Sequence, residues 1–304
     1  MTKKVYYSFN QFLKEKFGCR VWKLSLNAGF SCPNRDGRLS REGCIFCNNK
    51  AFSYFVRQES FSLREQIAHS IEYAKKRFKA EKFIAYFQSF TNTYASPKEL
   101  KEKYDIIREF PEIVGLSIST RPDCIDEEKI ELIRSYTKDY TVWLEYGLQS
   151  VNNSTLQFLN RNHSFEDFLR ALELTKDKNI LISVHIILGL PSETKKDTLK
   201  TAKTISSLPI WGVKFHCLHV VKETPLEELY NQGKIKLLSQ KEYVELICDF
   251  LELIPSSWVV LRLISEAPSD YLIAPSWVNN KQSVIREIEK ELKRRNSWQG
   301  KYLN

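Results

Sequence analysis

No stretch of this sequence approaches the ~18 consecutive apolar residues that a membrane-spanning helix needs. The opening Met1-Thr-Lys-Lys-Val-Tyr-Tyr also lacks the apolar stretch of a secretory leader. A cytosolic setting without membrane partners is therefore expected, in which thiols stay reduced. Glycine and proline are sparse, 10 of each in 304 residues, which excludes fibrous and low-complexity architectures. Neither an internal repeat nor a Ser/Gly/Pro-rich linker divides the chain. One large domain with at most a modest appendage is expected at this length.

Hydrophobic residues make up 42% of the chain and aromatics 12%, enough for a sizeable packed core. Seven cysteines, an odd number, point to metal or redox chemistry before disulfides. The net charge of +9 suits a polyanionic partner, although 46 basic residues against 37 acidic ones leave much of the excess as ordinary solvated surface.

Strand-like and helix-like segments alternate from about residue 20 to 220. Val21–Leu26, Lys82–Gln88, Ile113–Thr120, Thr141–Leu148, Ile180–Leu190 and Trp211–Val220 read as strands rich in β-branched, aromatic or aliphatic residues. Between them lie amphipathic helices, the first with Leu63, Ile67, Ile71, Ala74 and Phe78 on one face. Ser62 with Glu65, Ser96 with Glu99 and Ser164 with Asp167 have capping-box spacing. This alternation predicts an α/β fold with a parallel sheet and helices outside; six units are too few for the usual eight-stranded barrel and suit a partial one. Beyond residue 220 a helix is expected at Ser239–Leu253, a short strand at Trp258–Ile264, a loop at Ser265–Trp277 and a last helix carrying Val284, Ile285, Ile288 and Leu292.

The most informative stretch runs from Asn27 to Cys47 and contains Cys32-x11-Cys44-x2-Cys47 directly after the first expected strand. A Cys-x2-Cys pair brings two thiolates to neighbouring metal atoms from one tight turn, and Arg35, Arg38 and Arg41 in the long gap can balance anionic charge. Three thiolates on a 4Fe-4S cluster leave one iron open, whereas an electron-transfer cluster normally takes four. An open iron can chelate the amino and carboxylate groups of S-adenosylmethionine. A zinc site with Cys19 as fourth ligand is the competing reading. Cys19, Cys124, Cys217 and Cys248 have no partner at short spacing and read as small core hydrophobes.

With this loop come Ser117-Ile-Ser-Thr-Arg-Pro-Asp123, Leu144-Glu-Tyr-Gly-Leu-Gln-Ser150, Asn160-Arg-Asn-His163 and His185-Ile-Ile-Leu-Gly-Leu-Pro-Ser-Glu193. Together they resemble the radical S-adenosylmethionine superfamily, in the branch shared by the Elongator catalytic subunit and its short bacterial relatives without an acetyltransferase domain. Tyr86–Ala95 and Leu218–Leu226 look like signatures of the short subgroup. The resemblance implies a partial (βα)6 TIM-like barrel in residues 1–220, N-terminal extension included, and a short C-terminal α/β extension in 221–304 packing on it. It implies Cys32, Cys44 and Cys47 as ligands of a 4Fe-4S cluster, with S-adenosyl-L-methionine contacted by Gln149 near the ribose, Arg161 at the methionine carboxylate and His185 facing the nucleoside. The Gly-Gly-Glu stretch common after the second strand is replaced by Gln88-Ser89-Phe90-Thr91-Asn92, and an acidic residue common near the third-strand end is Ser119. Gln88, Ser89 and Thr91 are then the candidates for the methionine amino group. On the residues alone, Gln149 and Ser150 could cap a strand-to-helix turn, Arg161 could form a surface ion pair and His185 could be a core histidine. Glu145, inside an apolar strand, is a functional carboxylate or part of an internal ion pair.

The resemblance also implies a tRNA substrate, modified on the C5 side chain of the wobble uridine, and a low-potential electron donor such as flavodoxin or ferredoxin. Remodelling of a carboxymethylaminomethyl-type side chain toward aminomethyl suits the short subgroup. Basic and aromatic residues interleave at both ends: Lys3, Lys4, Lys14, Lys16, Arg20 and Lys23 with Tyr6, Tyr7, Phe9, Phe12 and Phe17, then Arg294, Arg295, Trp298, Lys301 and Tyr302. This is a pattern that holds RNA loops, although the Phe residues could equally pack over the barrel. Glu266, Asp270 and Tyr271 are candidates for the barrel mouth. Two other readings stand beside this one: a radical enzyme acting on a small metabolite or peptide, and a non-catalytic zinc protein that binds RNA.

Overall fold

A computed structural model describes residues 5–58 and 60–303; Lys3 and Lys4 lie outside them. Seven strands form one parallel sheet: β1 (Val21–Leu26), β2 (Lys82–Phe87), β3 (Ile113–Thr120), β4 (Thr141–Gln149), β5 (Leu181–Leu188), β6 (Gly212–Cys217) and, beyond the two-residue β7 (Val220–Val221), β8 (Val259–Arg262). The order β1-β2-β3-β4-β5-β6-β8 follows the chain, as in a barrel that curls without closing. All six strands of the expected partial barrel are present, and the short C-terminal strand extends the same sheet. Gly212 lets β8 in: a Cβ there would sit 2.6 Å from the Val259 carbonyl oxygen. The stretch read as one strand to Val220 breaks after Cys217, and β7 turns to pair antiparallel with β9 (Leu272–Ala274), inside the expected loop.

Helices pack outside because their capped first turns aim apolar stripes at the sheet. The boxes at Ser62/Glu65, Ser96/Glu99, Ser164/Asp167 and Ser239/Glu242 all form, as does Thr194/Asp197. One buried cluster runs from Leu24 to Leu292, so the last helix (Lys281–Arg294) contributes Val284, Ile288 and Leu292 to the core that the barrel strands share. Among the described residues no helix is long and apolar enough to cross a membrane.

The two ends of the sheet differ. At the end where the strands begin, the helix Phe9–Phe17 packs over the barrel: Phe12 meets Trp211 edge-to-face at 4.8 Å and Phe9 meets Trp143 at 5.9 Å. These two phenylalanines are packing residues, not base platforms. Cys19 joins this same end, against Leu13, Val21 and Trp143, with the whole of β1 between it and the cysteine loop. It cannot complete a metal site with Cys32, Cys44 and Cys47. At the other end, parallelism collects the segments that follow every strand, and the candidate site is built there.

Candidate active site

The loop after β1 folds back on itself through Arg35 N–H and Asp36 N–H, which both donate to the Cys32 carbonyl (2.8 and 3.1 Å), and Cys47 N–H, which donates to the Cys44 carbonyl (3.0 Å). It is clamped to the chain after β4. The fully buried Asn34 donates to the Asn160 carbonyl (2.6 Å), Asn160 Nδ2 donates to the Gly43 carbonyl (2.6 Å), and Asn162 Nδ2 donates to Asn34 Oδ1 (2.5 Å). Cys32, Cys44 and Cys47 thereby line one chamber. Asn34 Nδ2 and Arg161 Nη1 lie 3.5 and 3.3 Å from Cys44 Sγ, and the Arg35 guanidinium donates to the Cys47 carbonyl. Burial, with the Cys44 sulfur adding, pushes the Cys47 thiol up to about 11. Among the described residues no three His, Cys, Asp or Glu side chains converge as one metal ion requires. That is no bar to a four-iron cluster, which takes each thiolate on a different iron. Three soft sulfurs with cationic N–H donors beside them fit such a group.

Gln149, Arg161, His185, Gln88 and Thr91 line the same chamber as the three cysteines. Arg161 is buried and not in a surface ion pair: Nη2 donates to the Gly147 carbonyl (2.7 Å) and Nε to His163 (3.1 Å). Gly147 makes this possible, since a Cβ there would lie 3.0 Å from both Arg161 Nη2 and Gln149 Nε2. Gln149 holds a left-handed backbone, φ 72°, at the register break that ends β4. Left-handed non-glycine residues cost of order 1–3 kcal/mol and concentrate where function needs them. Ser150 does cap the turn, accepting from Asn152 N–H (3.0 Å) and donating to Glu193, which ties the two motifs together. Ser89 is buried, its Oγ has no hydrogen-bond partner, and it is absent from the chamber wall. Arg121 was missed although it sits inside a quoted motif: Asp123 holds its Nε (2.9 Å) and Nη2 (2.7 Å), while Nη1 is buried at the chamber without a partner.

Deeper in the barrel, Glu145 resolves as the hub of an internal ion-pair layer. It is fully buried and takes Lys214 Nζ (2.9 Å), His185 Nε2 (2.8 Å), Ser117 Oγ (2.6 Å) and Lys23. Burial alone would raise its carboxyl, but Lys214 and Lys23 override that and hold it well below the usual carboxylate range. His185 is driven to about 3 by burial and by Lys214, so it is a neutral imidazole at physiological pH. Lys23, read as one of the basic residues of the N-terminal arm, instead points into the barrel beside Tyr86, 3.9 Å from the ring centre.

A second chamber, of about 930 Å³ including its open mouth, joins the first: both are lined by Cys47, Asn49, Gln88, Ser119, Gln149 and His185. Its far wall is Lys214, His216, His219, Arg262 and Glu266. Sequence reasoning passed over Lys214 and Arg262. The signal available was a lone charge inside each of two apolar strands. Of the other mouth candidates, Tyr271 packs beneath Arg57 (5.8 Å) and against Ala51 and Val221, while Asp270 is exposed and outside this wall.

An open parallel α/β half-barrel with three loop cysteines at the strand ends defines a class of cluster-dependent radical enzymes. The chain belongs to the radical SAM superfamily. That family's model matches residues 32–205 and the radical SAM C-terminal domain matches residues 210–294. The chain is 38% identical to the uncharacterized protein YtqA of Bacillus subtilis, covering 99% of this chain and 94% of that one. It is 30% identical to a tRNA uridine(34) acetyltransferase of Methanocaldococcus infernus over 53% of this chain and 30% of that protein. The fold matches an N-terminally truncated archaeal Elp3 of Methanocaldococcus infernus with a TM-score of 0.68, at 21% identity, over 90% of this chain and 63% of that one. A 4Fe-4S cluster and S-adenosylmethionine are the cofactors of this family, so the zinc reading falls.

Proposed function

We propose that this chain modifies the C5 side chain of the wobble uridine in tRNA, remodelling a carboxymethylaminomethyl-type group toward aminomethyl. The methylene beside the carboxylate would lose a hydrogen atom and then one electron to the oxidised flavodoxin- or ferredoxin-type carrier, and water would cleave the resulting iminium C–N bond to release glyoxylate. Cys32, Cys44 and Cys47 hold the cluster in this reading. The cluster and S-adenosylmethionine together supply a 5′-deoxyadenosyl radical able to take a hydrogen atom from an unactivated C–H bond. Arg161 and Arg121 offer buried guanidinium N–H groups for the methionine carboxylate. Gln149, presented by its left-handed backbone, meets the ribose, and neutral His185 faces the nucleoside. Gln88 and Thr91 take the amino group, with Ser119 beside them.

The observation that carries the proposal is the junction of the two chambers: the cysteines open directly onto a larger, cation-walled space that can take a substrate group beside the adenosyl moiety. The similarity to a protein named as acting on uridine 34 of tRNA supports the choice of substrate. Exposed Arg38, Arg41, Lys50 and Arg57 on the cysteine loop and the helices after it provide phosphate contacts. The chain's end contributes less than its composition suggests, because Arg294 is paired with Glu291 (2.7 Å) and Arg295 with Asp249 (2.6 Å). An electron donor of flavodoxin or ferredoxin type completes the system.

Nucleoside analysis of tRNA from cells with and without the gene tests this. Loss of the aminomethyl-type nucleoside with accumulation of its carboxymethylaminomethyl precursor is expected. An unchanged profile would favour a small metabolite or peptide as substrate.

A further inference from the structure

Lys23, Lys214 and Arg262 face one another across the strands, and Glu145, the carboxylate among them, is saturated by Lys23, Lys214, His185 and Ser117. Glu266 at the chamber mouth is paired with Lys281 (2.9 Å). Among the described residues Arg262 makes no ion pair: its Nη2 lies against the His216 ring, 2.8 Å from Nδ1 and 2.9 Å from Nε2, and its Nε is buried without a partner. A guanidinium facing a neutral imidazole lacks the carboxylate it is shaped for.

Next to it, His219 presents the opposite need. Its Nδ1 lies 2.9 Å from the Cys217 carbonyl, which only accepts, so the proton sits on Nδ1 and Nε2 carries the lone pair. That Nε2 is buried and unpartnered. Both residues line the second chamber. One wall therefore offers an unfilled carboxylate site and an unfilled acceptor for an N–H.

We propose that Arg262, brought into the barrel by β8, binds the carboxylate of the substrate side chain, and that His219 Nε2 accepts the N–H beside it. The ligand class is an N-substituted glycine unit, an amine one methylene from a carboxylate. This assignment rests on the uridine reading above and makes Arg262 the residue that distinguishes the carboxymethylaminomethyl group from neutral analogues.

The test uses cluster-loaded full-length protein, S-adenosylmethionine and two tRNAs that differ only in whether the side chain ends in a carboxylate or in its carboxamide. The readout is the ratio of kcat/KM values, with KM for each tRNA measured separately. A ratio taken within one variant cancels differences in folding and cluster loading. Wild type should prefer the acid by about 10- to 100-fold. R262Q should bring the ratio near one, chiefly through KM for the acid, and R262K should recover part of it. A ratio unchanged in R262Q overturns the assignment, as does a wild type that processes both tRNAs equally, and in either case the uridine reading survives. A wild type that processes neither tRNA overturns both.

Discussion

One strand contains both halves of this molecule. Along β4 stand in turn Trp143, Glu145, Gly147 and Gln149, the last beyond the register break that follows Tyr146. Trp143 is fully buried among the aromatics of the helix Phe9–Phe17. Glu145 is the hub of the charge layer. Gly147 yields space to Arg161, and Gln149 closes the strand in a left-handed conformation. Over nine residues the same backbone passes from packing to electrostatics to strain. The end where strands begin gains stability from apolar burial, although Gln11 Oε1 and Trp143 Nε1 stay unpaired there, and the end where they finish retains unpaired guanidinium and imidazole nitrogens at Arg121, Arg262 and His219. Arg121, Arg262 and His219 line the two chambers, and charged or imidazole groups are costly when left unsatisfied, so these three mark where ligands complete the structure.

Substitutions at the two ends should separate along that line. C44A should abolish iron and sulfide binding and S-adenosylmethionine cleavage together; retained cleavage would break the ligand assignment. W143A should cost about 3–5 kcal/mol in denaturant unfolding while iron per folded molecule stays at the wild-type value. Loss of iron in folded W143A would mean that the two ends are not independent. Q149G should relieve the left-handed backbone, worth roughly 1–3 kcal/mol against the roughly 0.5–1 kcal/mol that glycine costs in chain entropy, so stability should rise, and it should weaken S-adenosylmethionine binding measured by calorimetry. A destabilised Q149G would remove the case for strain.

A further test is a slope in pH. Burial, opposed by Glu145, lowers Lys214 from 10.5 to about 7. Between those values the unfolded chain holds a proton that the folded chain has released, so the site's contribution is fully present above 10.5 and is lost as pH falls toward 7. Wild-type melting temperature should therefore rise relative to K214M between about pH 7 and 9.5. Parallel curves would show that Lys214 is not depressed.

The legible parts of the site were those set by short spacing. Cys32, Cys44 and Cys47 sit in one loop, and the capping boxes are four-residue patterns, so both could be read without the fold. The six barrel strands followed from local periodicity. What escaped depends on contacts distant in sequence. β8 joins β6 only because Gly212 leaves room for it, and β9 pairs with β7 across fifty residues of chain. Lys23, Lys214 and Arg262 each look like the solvent-facing charge of an ordinary strand, and only the curl of the sheet turns them inward. Cys19 packs as the small core hydrophobe its isolation suggested, while the terminal arginines pair with Glu291 one turn away and, for Arg295, with Asp249 far along the chain.

The most direct measurement follows deuterium. The reconstituted protein, a strong reductant, S-adenosylmethionine and tRNA carrying a deuterated C5 side chain on the wobble uridine are combined without oxygen. The account expects 5′-deoxyadenosine that carries deuterium from that side chain. Unlabelled 5′-deoxyadenosine with intact tRNA, or none at all, would contradict it.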